Sequence, residues 1–208
     1  MKNIAVLVSG GGTNLQALID AQLNGKIRNG KITLVISSKA NAYALTRARN
    51  AEINSAVLPR KEYNSQSAFD SELLKTLKAH NIDLVVLAGF LTILGDEIIN
   101  EYRNRIINVH PSLIPSFCGK GFYGLKVHEA ALSRGVKLTG ATVHFVNEIA
   151  DGGPIIMQRA VEVMENDTPE TLQKRVMSEC EHVLLPLAVS KFCEDKIEVN
   201  GNIAVIKQ

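Results

Sequence analysis

The chain has 208 residues, of which 46% are hydrophobic and 21% charged, with a net charge of +2. That length can form one core burying roughly 70% of the unfolded chain's surface, without a disulfide or metal to hold it. The small net charge does not suggest a nucleic-acid or membrane-surface partner. Cys118, Cys180 and Cys193 are odd in number and lack CxxC spacing, so neither a disulfide framework nor a zinc site is expected. Reduced thiols in a cytoplasmic protein are the simplest reading. The apolar run Ile4–Val8 is too short for a signal peptide, and no stretch reaches the about eighteen apolar residues of a membrane helix.

Strand and helix patterns alternate through the first two-thirds. Ile4–Val8 reads as a parallel strand covered on both faces; it ends in Ser9-Gly10-Gly11-Gly12-Thr13-Asn14, and Leu15, Leu18 and Ile19 then take helical spacing. Ile32–Ile36 reads as a strand, Ala42–Ala51 as a helix, and Ala56–Leu58 as a short edge strand stopped by Pro59. Gln66–His80 is an amphipathic helix with Phe69, Leu73, Leu74 and Leu77 inward. The buried strand Asp83–Ala88 leads through Gly89 into the loop Phe90–Leu94, then a short helix near Asp96–Tyr102 and the strand Ile106–His110.

After Pro111 comes a loop punctuated by Pro115, Gly119, Gly121 and Gly124, then a helix over Lys126–Ser133 and strands around Thr139–Val146 and Pro154–Val163. Pro169–Lys191 reads as one long helix, with Thr168 as N-cap, Pro169 at its first position and Glu170 in its first turn. Asn200-Gly201 between two short apolar runs marks a C-terminal β-hairpin. The expected fold is α/β: a doubly wound, mostly parallel sheet with helices on both faces, forming one domain over residues 1–208. Ligands in such folds bind beyond the carboxyl ends of the strands, where Ser9–Asn14, Gly89–Leu94 and Asn108–Pro115 all fall.

The glycine turn can bring backbone N–H groups close to a phosphate at a helix N-terminus, and a ligand-free tight turn is the alternative. It is no dinucleotide fingerprint: GxGxxG would need glycine at Leu15 or Asn14. No Gly-Lys-Ser/Thr follows it either, so a small phosphoryl group is the expected ligand. Alternation along Ile106–His110 puts Asn108 and His110 on one face of a buried strand, which is costly unless both are paired or in use. Asn108 offers an amide donor to a developing oxyanion, and His110 can exchange a proton near neutral pH. Asp151, in Glu148–Pro154, is a candidate third member; beside His110 it would raise the imidazole pKa. A turn aspartate without a catalytic part is the alternative.

Several segments occur in an order that resembles the phosphoribosylglycinamide formyltransferases, also called glycinamide ribonucleotide transformylases, of the folate-dependent formyltransferase family. They are Ser9–Leu15, Leu87–Leu91, Asn108-Val109-His110-Pro111-Ser112-Leu113-Ile114-Pro115, Gly140–Val146 and Asp151–Ile156, and the resemblance covers nearly the whole chain. It implies formyl transfer from 10-formyltetrahydrofolate, a co-substrate, to the amine of glycinamide ribonucleotide in purine synthesis, with no metal. Asn108, His110 and Asp151 would be catalytic, with His144 in support. Gly12, Thr13 and Asn14 would hold the phosphate, and Glu181, or Glu179 given a spacing one residue longer than usual after Arg175-Val176, the ribose hydroxyls. Leu91, Thr92, Ile93, Leu94, Asn108, Asn147 and Asp151 would line the folate pocket. Two basic residues common in the family are replaced, one by Thr92 and one near Gln66. The resemblance implies a cytoplasmic monomer or homodimer acting on small molecules. Methionyl-tRNA formyltransferases and formyltetrahydrofolate hydrolases share the Asn-x-His-Pro block but carry further domains, and an amino-sugar nucleotide formyltransferase is a further alternative. A non-catalytic nucleotide-binding module would keep the glycine turn without needing the three polar groups together.

Overall fold

The computed structural model describes residues 1–207. Its centre is a nine-stranded sheet in the order β3-β2-β1-β4-β5-β6-β7-β9-β8. The first half is parallel: β1 (Lys2–Val8), β2 (Gly30–Ser37), β3 (Asn54–Val57), β4 (Leu84–Leu87) and β5 (Ile106–His110). The second half is mixed. β6 (Leu138–Phe145) runs antiparallel to β5 and to β7 (Ile155–Glu162). The hairpin of β8 (Ile197–Asn200) and β9 (Ile203–Ile206) closes that edge, with β9 parallel to β7.

The all-apolar β1 run is buried because both its faces are covered. Ile4, Val6 and Val8 pack with Leu15, Leu18 and Ile19 of α1 (Thr13–Leu23) and with Ala44 and Ala48 of α2 (Tyr43–Asn50). The alternate residues Ala5 and Leu7 meet Phe69, Leu73 and Leu77 of α3 (Gln66–Ala79) and Ile98 of α4 (Asp96–Glu101). These are the two faces expected of a doubly wound sheet. Strand order reverses between β2 and β4 on either side of β1, which opens a crevice above the carboxyl ends of β1 and β4.

The remaining helices cover the β6 half. α5 (Leu125–Arg134) follows the loop after β5, and α6 (Pro169–Val176) starts at Thr168. Thr168 caps it as the sequence predicts, its hydroxyl accepting from Thr171 N–H while the Thr171 hydroxyl accepts from Thr168 N–H. The single helix expected over Pro169–Lys191 is not continuous. A π-helical turn at Met177–Glu181 separates α6 from α7 (His182–Cys193). Such a turn takes up one extra residue without ending the helix. It thus absorbs the longer spacing before Glu181, and apolar periodicity alone does not reveal it.

Candidate active site

Four polar side chains converge where β5 and β6 end. Antiparallel pairing sets Asn108 opposite His144 and His110 opposite Thr142. Asn108 Nδ2 lies 3.1 Å from His144 Nε2. His144 Nδ1 lies 2.8 Å from the Phe145 carbonyl, which can only accept, so Nδ1 carries a hydrogen and Nε2 is the ring atom facing the Asn108 amide and Asp151. At most one of the two Asn108 amide hydrogens is used there, which leaves a hydrogen for a ligand.

His110 is 4% exposed. Its Nε2 lies 2.9 Å from the Phe117 carbonyl, and its Nδ1 lies 3.5 Å from Asp151 Oδ2. Asp151 Oδ1 is 3.6 Å from His144 Nε2, and Gly119 N–H donates to Oδ2 at 2.8 Å. Asp151 therefore bridges both histidines and the loop after Pro115. It sits in the left-handed region at φ +54°, which aspartate tolerates better than most residues. Its two following glycines, by contrast, are there for space: a Cβ on Gly153 would lie 1.9 Å from the Phe145 carbonyl oxygen. The buried Thr142 pins the start of the loop, donating to the Ser112 carbonyl at 2.7 Å and accepting from Ile114 N–H at 3.1 Å.

The expected rise in the His110 pKa is reversed. Burial lowers it below the ordinary imidazole value; Asp151 and the Phe117 carbonyl push the other way without overcoming that effect. Burial thus favours the neutral imidazole, with a hydrogen on the Nε2 that donates to the Phe117 carbonyl. Burial also works against ionised Asp151, but His144, His110 and the Gly119 N–H together hold its pKa below the usual carboxylate value.

The second constellation lies at the end of β1. Gly12 takes φ +72° just before α1, and a Cβ there would come within 2.7 Å of the Ala44 Cβ, so glycine is required twice over. Among the described residues, the N–H groups of Gly11, Gly12, Thr13 and Asn14 have no backbone partner. The Asn14 side chain commits one amide hydrogen within the fold. Its Nδ2 donates to Glu181 Oε2 at 2.7 Å, a buried contact that joins the glycine turn to the π turn. Burial raises the Glu181 pKa, and the Asn14 bond only partly offsets it. Glu179 is exposed and lies outside the cleft, whereas Glu181 lines it.

Asn108, His110, His144 and Asp151 share one cleft of about 1280 Å³ with Asn14 and Glu181, whereas Thr13 lines a neighbouring cavity with Gln16 and Arg47. Leu91, Thr92, Ile93, Leu94 and Asn147 also line the cleft, with Leu91 and Ile93 well exposed and Leu94 buried. Asn147 braces the Asp151 loop, donating to the Gly152 carbonyl at 3.3 Å and accepting from Ile149 N–H at 3.0 Å. Among the described residues, no cluster of histidine, cysteine and carboxylate side chains is arranged to hold a metal ion.

Residues 2–189 match the formyl transferase family. A phosphoribosylglycinamide formyltransferase of Escherichia coli is 40% identical over 202 residues, covering 97% of this chain and 92% of that one. The chain belongs to the formyl transferase family. Among solved structures, glycinamide ribonucleotide transformylase 1 from Symbiobacterium toebii superposes with a TM-score of 0.94 at 42% identity, covering 100% of this chain and 95% of that one. A formyltetrahydrofolate deformylase from Pseudomonas syringae pv. tomato gives a TM-score of 0.88 at 28% identity, covering 100% of this chain and 66% of that one.

Sequence reasoning missed several parts of this formyltransferase cleft. Ser9 Oγ accepts from Leu91 N–H at 2.9 Å and lies 2.7 Å from Ser38 Oγ, which ties the glycine turn to the loop after β4. His128 in the first turn of α5 is fully buried against the cleft, with neither ring nitrogen partnered, and burial lowers its pKa to about 4. The carbonyl of Phe117 and the N–H of Gly119 are backbone groups and carry no side-chain signal. For these two the only hint was the glycine-rich punctuation of their loop.

Proposed function

We propose that this chain transfers the formyl group of 10-formyltetrahydrofolate to the amine of glycinamide ribonucleotide, releasing tetrahydrofolate and N-formylglycinamide ribonucleotide in purine synthesis. The observation that carries the reading is the meeting of Asn108, His110 and Asp151 at a strand mouth, in one cleft with Asn14 and Glu181, beside the glycine turn whose N–H groups have no backbone partner. The apolar side chains Leu91, Ile93, Val146 and Ile149 give the cleft a wall suited to a flat folate ring. Residues 1–208 act as one formyltransferase domain, in the cytoplasm, as a monomer or homodimer.

Each group has a task set by its surroundings. The backbone N–H groups of Gly12, Thr13 and Asn14 hold the phosphate at the positive end of α1. Glu181, steadied by Asn14, accepts hydrogen bonds from the ribose hydroxyls. The loop Leu91–Leu94 and Asn147 flank the folate. When the amine nitrogen bonds to the formyl carbon, the carbonyl oxygen becomes an oxyanion, and the free hydrogen of Asn108 Nδ2 stabilises it. The attacking amine must lose one proton. Asp151 is ionised and His110 neutral, so the pair accepts that proton and delivers it to the departing folate nitrogen as the carbon–nitrogen bond breaks. Asn108 and Asp151 are both within reach of His144, which keeps them in register.

The similarity to a deformylase makes water the acceptor to exclude first. Tetrahydrofolate release should be measured with glycinamide ribonucleotide, with an amino-sugar nucleotide, with methionyl-tRNA and with no added amine. Release is expected only with the ribonucleotide. Equal release without an amine would instead make the chain a hydrolase.

A further inference from the structure

The glycine turn has an unusual division of its backbone groups. Three consecutive carbonyls are each taken by a donor on the protein side. Gly10 O accepts from Ala44 N–H at 3.1 Å, Gly11 O from Arg47 Nε at 2.8 Å, and Gly12 O from Gln16 N–H at 2.9 Å. A trans peptide unit is planar, and its N–H points opposite to its C=O. Holding these three carbonyls toward α1 and α2 therefore turns the N–H groups of Gly11, Gly12 and Thr13 the other way. Those N–H groups are among the ones left without a backbone partner.

Two of the three holding bonds come from backbone and would survive any side-chain change. The middle one does not. It comes from Arg47, which is half-buried on α2 and has a second bond from Nη1 to Gln16 Oε1 at 2.9 Å. The Arg47 guanidinium also lies 5.1 Å from the centre of the Tyr43 ring. All these partners are uncharged, so the cation keeps its full charge beside the turn. Arginine suits the position because its planar fork bonds along two directions at once.

We propose that Arg47 is a positioning residue for the acceptor's phosphate: it aims the Gly12 N–H outward through the Gly11 carbonyl and lends the turn positive charge. This rests on the reading of the turn as the phosphate site. Arg47 stays behind the turn and touches neither reacting group.

The test compares the phosphorylated acceptor with its dephosphorylated riboside in wild type, Arg47→Ala and Arg47→Lys, with melting curves to confirm folding. For Arg47→Ala, KM for the ribonucleotide is expected to rise about tenfold, the worth of one hydrogen bond to a charged group. The riboside KM, the folate KM and kcat stay near wild type. Arg47→Lys keeps the charge but loses the fork, and is expected to fall between the other two. An unchanged preference for the phosphorylated acceptor in both variants would overturn the proposal. So would an equal loss on the riboside, which would mean only general damage to α2. If wild type itself does not prefer the phosphorylated acceptor, the phosphate reading of the turn fails first and takes the role of Arg47 with it.

Discussion

At the β5 mouth, Asn108, His110, His144 and Asp151 use most of their polar atoms on one another and on the carbonyls and N–H groups of the surrounding loops. At the β1 mouth the side chains take little part, and the offered groups are backbone N–H donors whose carbonyls are tied down. The first arrangement suits a task in which charge develops briefly and must meet dipoles already in place. The second suits a permanent anion, which needs donors and field but no proton exchange. Side-chain substitutions should therefore act on turnover at one mouth and on acceptor affinity at the other.

The largest effects belong to the β5 mouth. Asn108→Ala and His110→Ala are each expected to lower kcat by ~10²–10³, the usual loss when one preorganised group goes, while the ribonucleotide KM and the melting temperature barely move. Steady-state kinetics beside a thermal melt checks this. A variant that keeps its kcat but loses acceptor affinity would break the division between the mouths. The pH profile sharpens it further. His110 must be neutral to share the amine proton, so kcat/KM should be flat above about pH 6.5 and fall as pH drops through its depressed pKa. Asp151 pushes that pKa up, so Asp151→Asn should move the acid limb to lower pH.

A smaller effect concerns stability. His128 titrates at about 4 in the fold, against its ordinary 6.5. The unfolded chain therefore binds the proton first as pH falls. The stability tied to keeping His128 neutral is complete above about pH 6.5 and is lost between there and about pH 4, on the order of 3 kcal/mol in all. Denaturant melts across that range should show the decline, and His128→Leu should make it shallower. A leucine variant with the wild-type slope would remove His128 as its source. The smallest effect falls at the β1 mouth. Gly12→Ala would force a Cβ into the left-handed region, and is expected to cost ~1–2 kcal/mol and to weaken acceptor binding with kcat retained.

Much of this was legible in the chain. The alternating apolar runs mark the strands and helices to within a residue or two, and the site loops follow from where those strands end. Asn108 and His110 share a strand, so their common face follows from period-two alternation. Other features depend on distance in sequence. Asn14 and Glu181 are 167 residues apart and meet only through the packing of α1 against α7 and the π turn. The charge state of His110 turned on how fully the folded site buries it, which the residue pattern of its strand does not show. Neighbouring charge alone suggested a raised pKa, and desolvation reversed the sign. Arg47 looks like an ordinary surface residue of an amphipathic helix until its bond to Gly11 is seen.

The most direct test is the chemical step itself, followed in single turnover with Asp151→Asn beside wild type, with acceptor Kd taken from a titration of each. Formyl transfer is expected to slow by ~10²–10⁴ with acceptor Kd almost unchanged. An Asp151→Asn enzyme that transfers the formyl group as fast as wild type would contradict the proton transfer through Asp151.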